Sequence, residues 1–180
     1  DADSGAAAAP IRPPLPPIRY NLFLSHVWRH AQDQSAYVKA TMQQLVPEAR
    51  CFLDVDNLRS IDDLEQTIAE SAAVLILLTE GYMASVNCRR ELREALRLKK
   101  PIVYLREMDS YHGALLNRDQ LAVECGCVPP RDHPTGETLL SAFDAPSTLE
   151  WHREYHLKRT VLARVLEELP GVQSARLASQ

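Results

Sequence analysis

The sequence has few glycines, no long apolar run and no excess of charge of one sign. Six glycines are scattered through 180 residues, and they form neither GxGxxG nor GxxxxGK(S/T), the glycine-rich loops that hold phosphates. The longest apolar run, Ala72–Leu78, is far shorter than the roughly 20 residues of a membrane-spanning helix, so we expect no membrane insertion by this segment. Lys and Arg number 20 against 24 Asp and Glu, a net charge of -4, so we expect no nucleic-acid partner.

Cysteine is also scarce, and the four present do not suggest a disulfide scaffold. Cys51 and Cys88 lie within apolar periodic segments and are typical of small core residues. Cys125, Cys127 and His133 lack a fourth ligand and the usual spacing of a zinc site, so we expect no metal. This usage favours a reducing, cytoplasmic compartment, and the acidic first residues show no secretion signal.

The first 19 residues differ in composition from the rest and are predicted to be an Ala/Pro-rich linker, disordered or in a polyproline helix. Five of the twelve prolines fall between Pro10 and Pro17. We interpret this segment as a stiff tether, and the alternative is a ligand for proline-recognition domains within Pro14–Arg19. A folded domain is expected over residues 20–170, with a C-terminal tail over residues 171–180.

From Tyr20 onward, short apolar runs alternate with segments of helical periodicity. The run Ala73–Thr79 is aliphatic and β-branched, which is typical of a strand buried on both faces. Such an alternation with short connections predicts an α/β fold, a flavodoxin-like doubly wound parallel sheet of about five strands with helices on both faces. The predicted strands are Asn21–His26, Cys51–Val55, Ala73–Thr79, Ile102–Leu105 and Thr138–Phe143, and the predicted helices are Asp33–Val46, Asp62–Glu70, Cys88–Lys100, Leu115–Val123 and Trp151–Leu169.

The predicted sheet brings three segments around one crevice. Ligands of such sheets bind at the carboxyl ends of the strands, which are followed here by Ser25–Arg29, Asp54–Ile61 and Thr79–Cys88. Ser25 and His26 are adjacent on a strand, so their side chains point to opposite faces and do not form a nucleophile–base pair.

Glu91 is the acidic residue that fits least well with a purely structural role. It lies three residues after Cys88, on the border of the apolar face of its helix. We therefore expect it at the crevice end of that helix, partly shielded from water. The alternative is a surface glutamate, favoured by the helix dipole and paired with Arg89, Arg90 or Arg93.

Three segments carry a recognisable pattern at these spacings: FLSH (Phe23–His26), FLDVDNL (Phe52–Leu58) and ESAAVLILLTEGYMASVNCRRELREAL (Glu70–Leu96). Together they resemble the TIR (Toll/interleukin-1 receptor) domain family. That family has a strand ending in F-(I/L)-S-(Y/H), a strand FxD followed by the BB loop, a buried strand, and S-x-x-C-x-x-E opening the next helix. The resemblance implies a flavodoxin-like fold, in agreement with the periodicity.

The resemblance implies one of two functions. Many animal TIR domains are assembly modules, whereas others cleave NAD+ into nicotinamide and ADP-ribose or its cyclic variants. In those enzymes the catalytic residue is the glutamate of S-x-x-C-x-x-E, which is Glu91 here. A lone carboxylate suits this chemistry, because bond cleavage builds oxocarbenium-like positive charge and nicotinamide leaves as a neutral molecule. NAD+ would be the substrate, and no cofactor is expected.

The sequence departs from the enzymes of this family at three positions, one of which is Asp63, where the axon-degeneration enzyme has an aromatic residue. Asn87 stands where an aromatic often precedes the glutamate, and Ile61 stands where the BB loop has a glycine. Trp28 is a candidate to replace the missing aromatic, or else a loop tryptophan that covers the sheet edge. Arg29 and His30 are candidates to contact a pyrophosphate, or else form a solvated surface. The candidate residues are Glu91 as the catalytic carboxylate, Ser25, Trp28, Arg29, Asp54, Asn87 and Cys88 for substrate binding, and Asp56, Asn57, Leu58, Arg59, Ser60 and Ile61 as the interaction loop.

Two hypotheses from different classes follow. The first is an NAD+ glycohydrolase or cyclase, active when the domain assembles with other TIR domains as a homo-oligomer. The second is a non-catalytic homotypic interaction module. A more distant alternative is another nucleoside-processing enzyme of similar fold, such as a deoxyribosyltransferase, which would be indifferent to NAD+.

Overall fold

The structure of the protein is a computed structural model, and it describes residues 16–53, 63–115 and 117–169. Several predictions fall outside these ranges and stay predictions. They concern most of the linker, the tail, and the residues Asp54, Asp56, Asn57, Leu58, Arg59, Ser60 and Ile61.

The described residues contain a five-stranded sheet of parallel strands, which confirms the flavodoxin-like prediction. Its spatial order is β2-β1-β3-β4-β5, the order 2-1-3-4-5 of flavodoxin-like folds, and every neighbouring pair is parallel. The central strand β3 is buried along nearly its whole length, as its aliphatic run predicts. The strands are β1 (Tyr20–His26), β2 (Cys51–Leu53), β3 (Ser71–Leu78), β4 (Ile102–Glu107) and β5 (Leu149–Trp151).

Helices cover both faces of the sheet, and each face has its own apolar core. One core packs buried residues of the first and last helices against the sheet, and the other packs those of the four middle helices. The helices are α1 (Trp28–Leu45), α2 (Asp63–Ala69), α3 (Val86–Arg97), α4 (Arg118–Gly126), α5 (His133–Phe143) and α6 (Tyr155–Glu168). None of the described helices is long and apolar enough to cross a membrane.

The strand predicted at Thr138–Phe143 is wrong, because these residues form the second half of α5. Leu139 and Phe143 are four residues apart and both buried, so they lie on one face of a helix. The fifth strand is instead Leu149–Trp151, and it is only three residues long. The final helix accordingly begins at Tyr155, and Trp151, predicted to open it, ends β5.

The first helix begins earlier than predicted. Periodicity places its start at Asp33, whereas α1 begins at Trp28. Trp28 and Arg29, expected in a loop, therefore occupy the first turn of an 18-residue helix. Val27 is its N-cap and forms no side-chain cap bond, so the start lacks the polar cap residue by which helix starts are recognised in sequence.

Candidate functional site

The candidate site lies at the carboxyl edge of the sheet, where β1 and β3 end side by side. Ser25 pairs with Ile76, and His26 with Leu77. The two side chains alternate between the faces as predicted: Ser25 contacts Glu91 of α3, whereas His26 Nε2 lies 2.9 Å from Gln32 Oε1 of α1. Ser25 and Glu91, the carboxylate that the sequence predicts to be functional, therefore lie together on the face of the sheet covered by α3.

Polar contacts hold the connection from β3 to α3 in place. Gly81 adopts a positive φ of 83°, a conformation that favours glycine. The backbone N–H groups of Gly81 and Met83 donate to the carboxylate of Glu124 in α4, at 2.6 and 3.1 Å. Ser85 then caps α3 by accepting from the Cys88 N–H at 3.3 Å. The start of α3 is thus fixed by a neighbouring helix and by a serine cap.

A second clamp on this connection is a buried ion pair. Arg89 donates from Nη1 to the carbonyls of Met83 and Ala84, at 2.6 and 2.9 Å, and from Nε to Asp132 Oδ2 at 2.9 Å. Asp132 also accepts from Arg93 and is 1% exposed. Sequence reasoning missed Asp132, because it lies 43 residues from Arg89 in a loop-rich segment without periodicity.

Glu91 is buried more completely than the sequence indicates. It lies in the second turn of α3 and is 4% exposed, and its Oε2 accepts a hydrogen bond of 2.5 Å from Ser25 Oγ. Arg89 and Arg93 pair with Asp132, and Arg90 pairs with Glu65. The alternative of an exposed surface glutamate is therefore wrong.

Tyr82 joins this cluster and was not found by sequence reasoning. Its Oη lies 2.6 Å from Ser25 Oγ, and the residue is fully buried. Burial raises the pKa of the Tyr82 phenol well above its ordinary value, and the Glu91 carboxylate adds to the rise. Tyr82 therefore stays protonated at any physiological pH.

The other predicted substrate-binding residues divide into buried and exposed ones. Cys88 is 2% exposed, and its Sγ donates to the His26 carbonyl at 3.4 Å. Ser25 is 1% exposed, so both lie beneath the edge rather than on its surface. Asn87 is exposed at the start of α3, and Asp54 lies outside the described residues. Within the ranges described, no group of His, Cys, Asp or Glu side chains is arranged to hold a metal ion.

Trp28 and Arg29 lie around a cavity of about 450 Å³ on the α1 side of the same edge. Its volume is in the range of small-molecule sites. Trp28 is 59% exposed and Tyr111 is 93% exposed, so two aromatic rings face solvent here. Glu91 does not line this cavity, and the end of β1 lies between the two. The lining residues are Trp28, Arg29, His30, Gln32, Asp33, Ala36, Tyr111 and His112.

One side of this cavity is held in place by Gly113, whose backbone packs closely against His30 of α1. Gly113 has a φ of 77°, and a Cβ there would lie 2.8 Å from the His30 ring. Its carbonyl accepts from the Glu80 N–H at 2.7 Å. The turn that carries Tyr111 and His112 is therefore fixed to the end of β3 and packed against the first turn of α1.

Fold and site together define a flavodoxin-like α/β domain with a buried glutamate at the carboxyl edge of its sheet. A family model described as TIR domain matches residues 22–124, which is more than half of the chain. The chain therefore belongs to the TIR domain family. A search of curated proteins gave no significant match.

Two solved structures illustrate the similarity. The TIR domains of the activated Roq1 resistosome directly recognizing the pathogen effector XopQ superpose with a TM-score of 0.61 at 16% identity, covering 83% of this chain and 98% of theirs. The TIR domain of the Toll-related receptor TRR-2 from Hydra magnipapillata gives 0.50 at 12% identity, covering 87% and 98%. At these identities the similarity shows a shared fold.

Proposed function

We propose that this TIR domain cleaves NAD+ at the nicotinamide–ribose bond when it self-assembles, with Glu91 as the catalytic carboxylate. The observation that carries the proposal is the placement of Glu91: a carboxylate 4% exposed, at the carboxyl edge of the sheet, hydrogen-bonded by Ser25. In hydrolysis, NAD+ and water give nicotinamide, ADP-ribose and one proton. The C–N bond breaks with both electrons going to nicotinamide, and water supplies the new C–O bond.

A buried carboxylate can supply a useful part of the rate. At about 4 Å from the forming oxocarbenium ion, with an effective dielectric near 20, the attraction is about 4 kcal/mol. If it acts in the transition state alone, that energy corresponds to about 10³-fold in rate. The residual exposure of Glu91 is too small for contact with a ribose, so groups around it must move before NAD+ reaches it. Self-assembly is the event that we propose supplies this rearrangement, as the assembled state of the Roq1 TIR domains suggests.

The cavity next to this edge suits the rest of the dinucleotide. Arg29, His30 and His112 offer donors for a pyrophosphate, and the rings of Trp28 and Tyr111 offer faces for a flat base. Trp28 thus becomes the candidate for the stacking contact that Asn87 does not make. In this arrangement Ser25 and Cys88 act from beneath the site, and Asn87 stays a predicted contact at its rim.

The test is nicotinamide release from NAD+ by the purified chain over a range of protein concentrations, including a fusion to an oligomerising partner. Glu91→Gln and Glu91→Ala are expected to lower release at least 100-fold. Glu94→Gln, on the same helix, is the matched control and is expected to leave release intact, because Glu94 pairs with Arg97 of that helix. Chromatography of the products separates linear from cyclic ADP-ribose. No release by the native chain in any of these forms, or release that persists in Glu91→Gln, would overturn the proposal.

The second candidate is a non-catalytic homotypic interaction module. Trp28, Val86 and Tyr111 are between 55% and 93% exposed near the carboxyl edge, and such apolar groups are typical of a surface that another protein covers. This function predicts self-association without nicotinamide release. Sedimentation of the native chain beside Trp28→Ala and Tyr111→Ala would then show weaker association in the variants. The deoxyribosyltransferase alternative predicts turnover of deoxynucleosides instead.

A further inference from the structure

We infer that Tyr82 and Ser25 form a one-directional hydrogen-bond chain that positions Glu91 and favours its ionised form. Its role in turnover rests on the proposed function, whereas the chain itself is open to a separate test. A serine has one proton to donate and two lone pairs to accept with. Ser25 Oγ donates that proton to Glu91 Oε2 at 2.5 Å.

The direction of the remaining contact follows from this assignment. Since the Ser25 proton points to Glu91, the 2.6 Å contact between Ser25 Oγ and Tyr82 Oη must be donated by the tyrosine. Burial keeps the Tyr82 pKa high and the phenol protonated, so this donor is always available. The chain runs from Tyr82 to Ser25 to Glu91, and it matches an ionised carboxylate, which accepts and does not donate.

The chain starts from a part of the molecule that is held firmly. Tyr82 is fully buried, and its N–H donates to the Thr79 carbonyl at 3.2 Å. The N–H groups on either side of it, those of Gly81 and Met83, are both bound by Glu124. These contacts hold the Tyr82 phenol in a fixed position. Through Ser25, the phenol in turn helps to hold the Glu91 carboxylate in position.

The energetic consequence concerns the ionisation of Glu91. Burial by itself disfavours a charged carboxylate, whereas a hydrogen bond to the charged form favours it. Hydrogen bonds to ions are stronger than neutral ones, and successive bonds in a chain polarise one another. Removing the Ser25 hydroxyl is expected to raise the pKa of Glu91 by about one unit or more and to lower kcat by about 10- to 100-fold. Removing the Tyr82 hydroxyl is also expected to raise the pKa of Glu91 and to lower kcat, by less than removing the Ser25 hydroxyl does.

The experiment compares Ser25→Ala, Tyr82→Phe and the double variant with Tyr104→Phe as control. Tyr104 is a half-buried tyrosine of β4 whose pKa burial raises to about 12, and it is not one of the residues joined by the hydrogen bonds from Tyr82 to Ser25 to Glu91. One readout is the pKa of Glu91 from the carboxyl-carbon NMR shift, assigned with Glu91→Gln. The other is kcat and KM for nicotinamide release.

The expected result is a raised Glu91 pKa in both single variants, a lower kcat at nearly unchanged KM, and no change in the control. Because the chain is serial, Tyr82→Phe should add almost nothing in the Ser25→Ala background. An unmoved Glu91 pKa, or two effects that simply add, would overturn the inference. If Ser25→Ala does not fold, two other variants test the inference. The Glu91 pKa should rise in Tyr82→Phe and should stay at its native value in Ser25→Thr, which keeps the hydroxyl. If the native protein releases no nicotinamide, the proposed function fails. The Glu91 pKa then still tests whether the hydrogen-bond chain favours the ionised carboxylate.

Discussion

Replacing Asp132 by alanine is expected to destabilise the domain far more than breaking an ion pair at its surface. Asp132 is 1% exposed, and its carboxylate accepts from Arg89 and Arg93 of α3. It therefore ties the turn before α5 to the first two turns of α3. The change removes the carboxylate and leaves the guanidinium of Arg89, whose side chain is 9% exposed, without its counter-ion.

The size of the effect can be worked out from these contacts. Removing one partner of a buried ion pair costs about 3–5 kcal/mol, because the other charge stays buried without compensation. Arg89 keeps its hydrogen bonds to the Met83 and Ala84 carbonyls, and Arg93 is 36% exposed and can turn to water. We therefore expect a loss near the lower limit, about 3 kcal/mol. In a domain of this size that loss lowers Tm by about 6–12 °C.

The assay is urea unfolding followed by far-ultraviolet circular dichroism, with the m-value checked for constancy between variants. Glu65→Ala is the matched control, because Glu65 also pairs with an arginine of α3 but is 47% exposed. Its loss is expected to stay below about 1 kcal/mol. If Asp132→Ala loses no more stability than Glu65→Ala, the buried ion pair of Asp132 does not contribute more than a surface pair. Asp132→Asn keeps the shape of the side chain without its charge. Its loss of stability should lie between those of Asp132→Ala and Glu65→Ala.

Three further predictions concern other parts of the framework. Ser85→Ala removes the cap on the Cys88 N–H and should lower the free energy of unfolding by about 1 kcal/mol in urea titrations, with Ser85→Asp close to native. Gly113→Ala should cost at least about 1–2 kcal/mol by the same assay, since φ is 77° and the new Cβ meets the His30 ring; the loss should shrink in a His30→Ala background. Burial raises the pKa of Cys51 from 9.0 to about 11, so the stability it contributes is complete below pH 9 and is lost as pH rises through 11, by roughly 2–3 kcal/mol. Urea unfolding at pH 8 and pH 11 should show a smaller loss of stability in Cys51→Ala than in the native chain, because other buried groups with a raised pKa, such as Cys125, lose stability in both.

The strands that the sequence predicts correctly are those with a strong apolar signal. Ala73–Thr79 lies in the centre of the sheet, where both faces are buried, and β3 covers nearly the same residues. Leu149–Trp151 lies at the sheet edge, and three residues give too short a pattern for a period of two to be distinguished. The apolar residues of Thr138–Phe143 fit a helix as well as a strand. The contacts that favour the helix α5 are made with helices that lie elsewhere in the sequence.

The candidate site was only partly predictable for a related reason. The family motif identifies Glu91, and helical periodicity places it near the crevice. Its contact with Ser25 spans 66 residues and depends on the register between β1 and β3, and the contact of Ser25 with Tyr82 spans 57. No local pattern encodes either contact. The exposed cavity with Tyr111 and His112 likewise depends on a turn that folds back over α1.

The proposed function requires Glu91 to be ionised although it is buried in α3. A buried carboxylate needs stabilisation, and an arginine would supply it while cancelling much of its field. Arg89, Arg90 and Arg93 are nearest to Glu91 in sequence, yet all three are bonded to other carboxylates. Ser25 donates a hydrogen bond to the Glu91 carboxylate, and a hydrogen bond to the charged form favours ionisation. Under the proposed function, an ionised Glu91 stabilises the cation that forms beside it when the nicotinamide–ribose bond breaks.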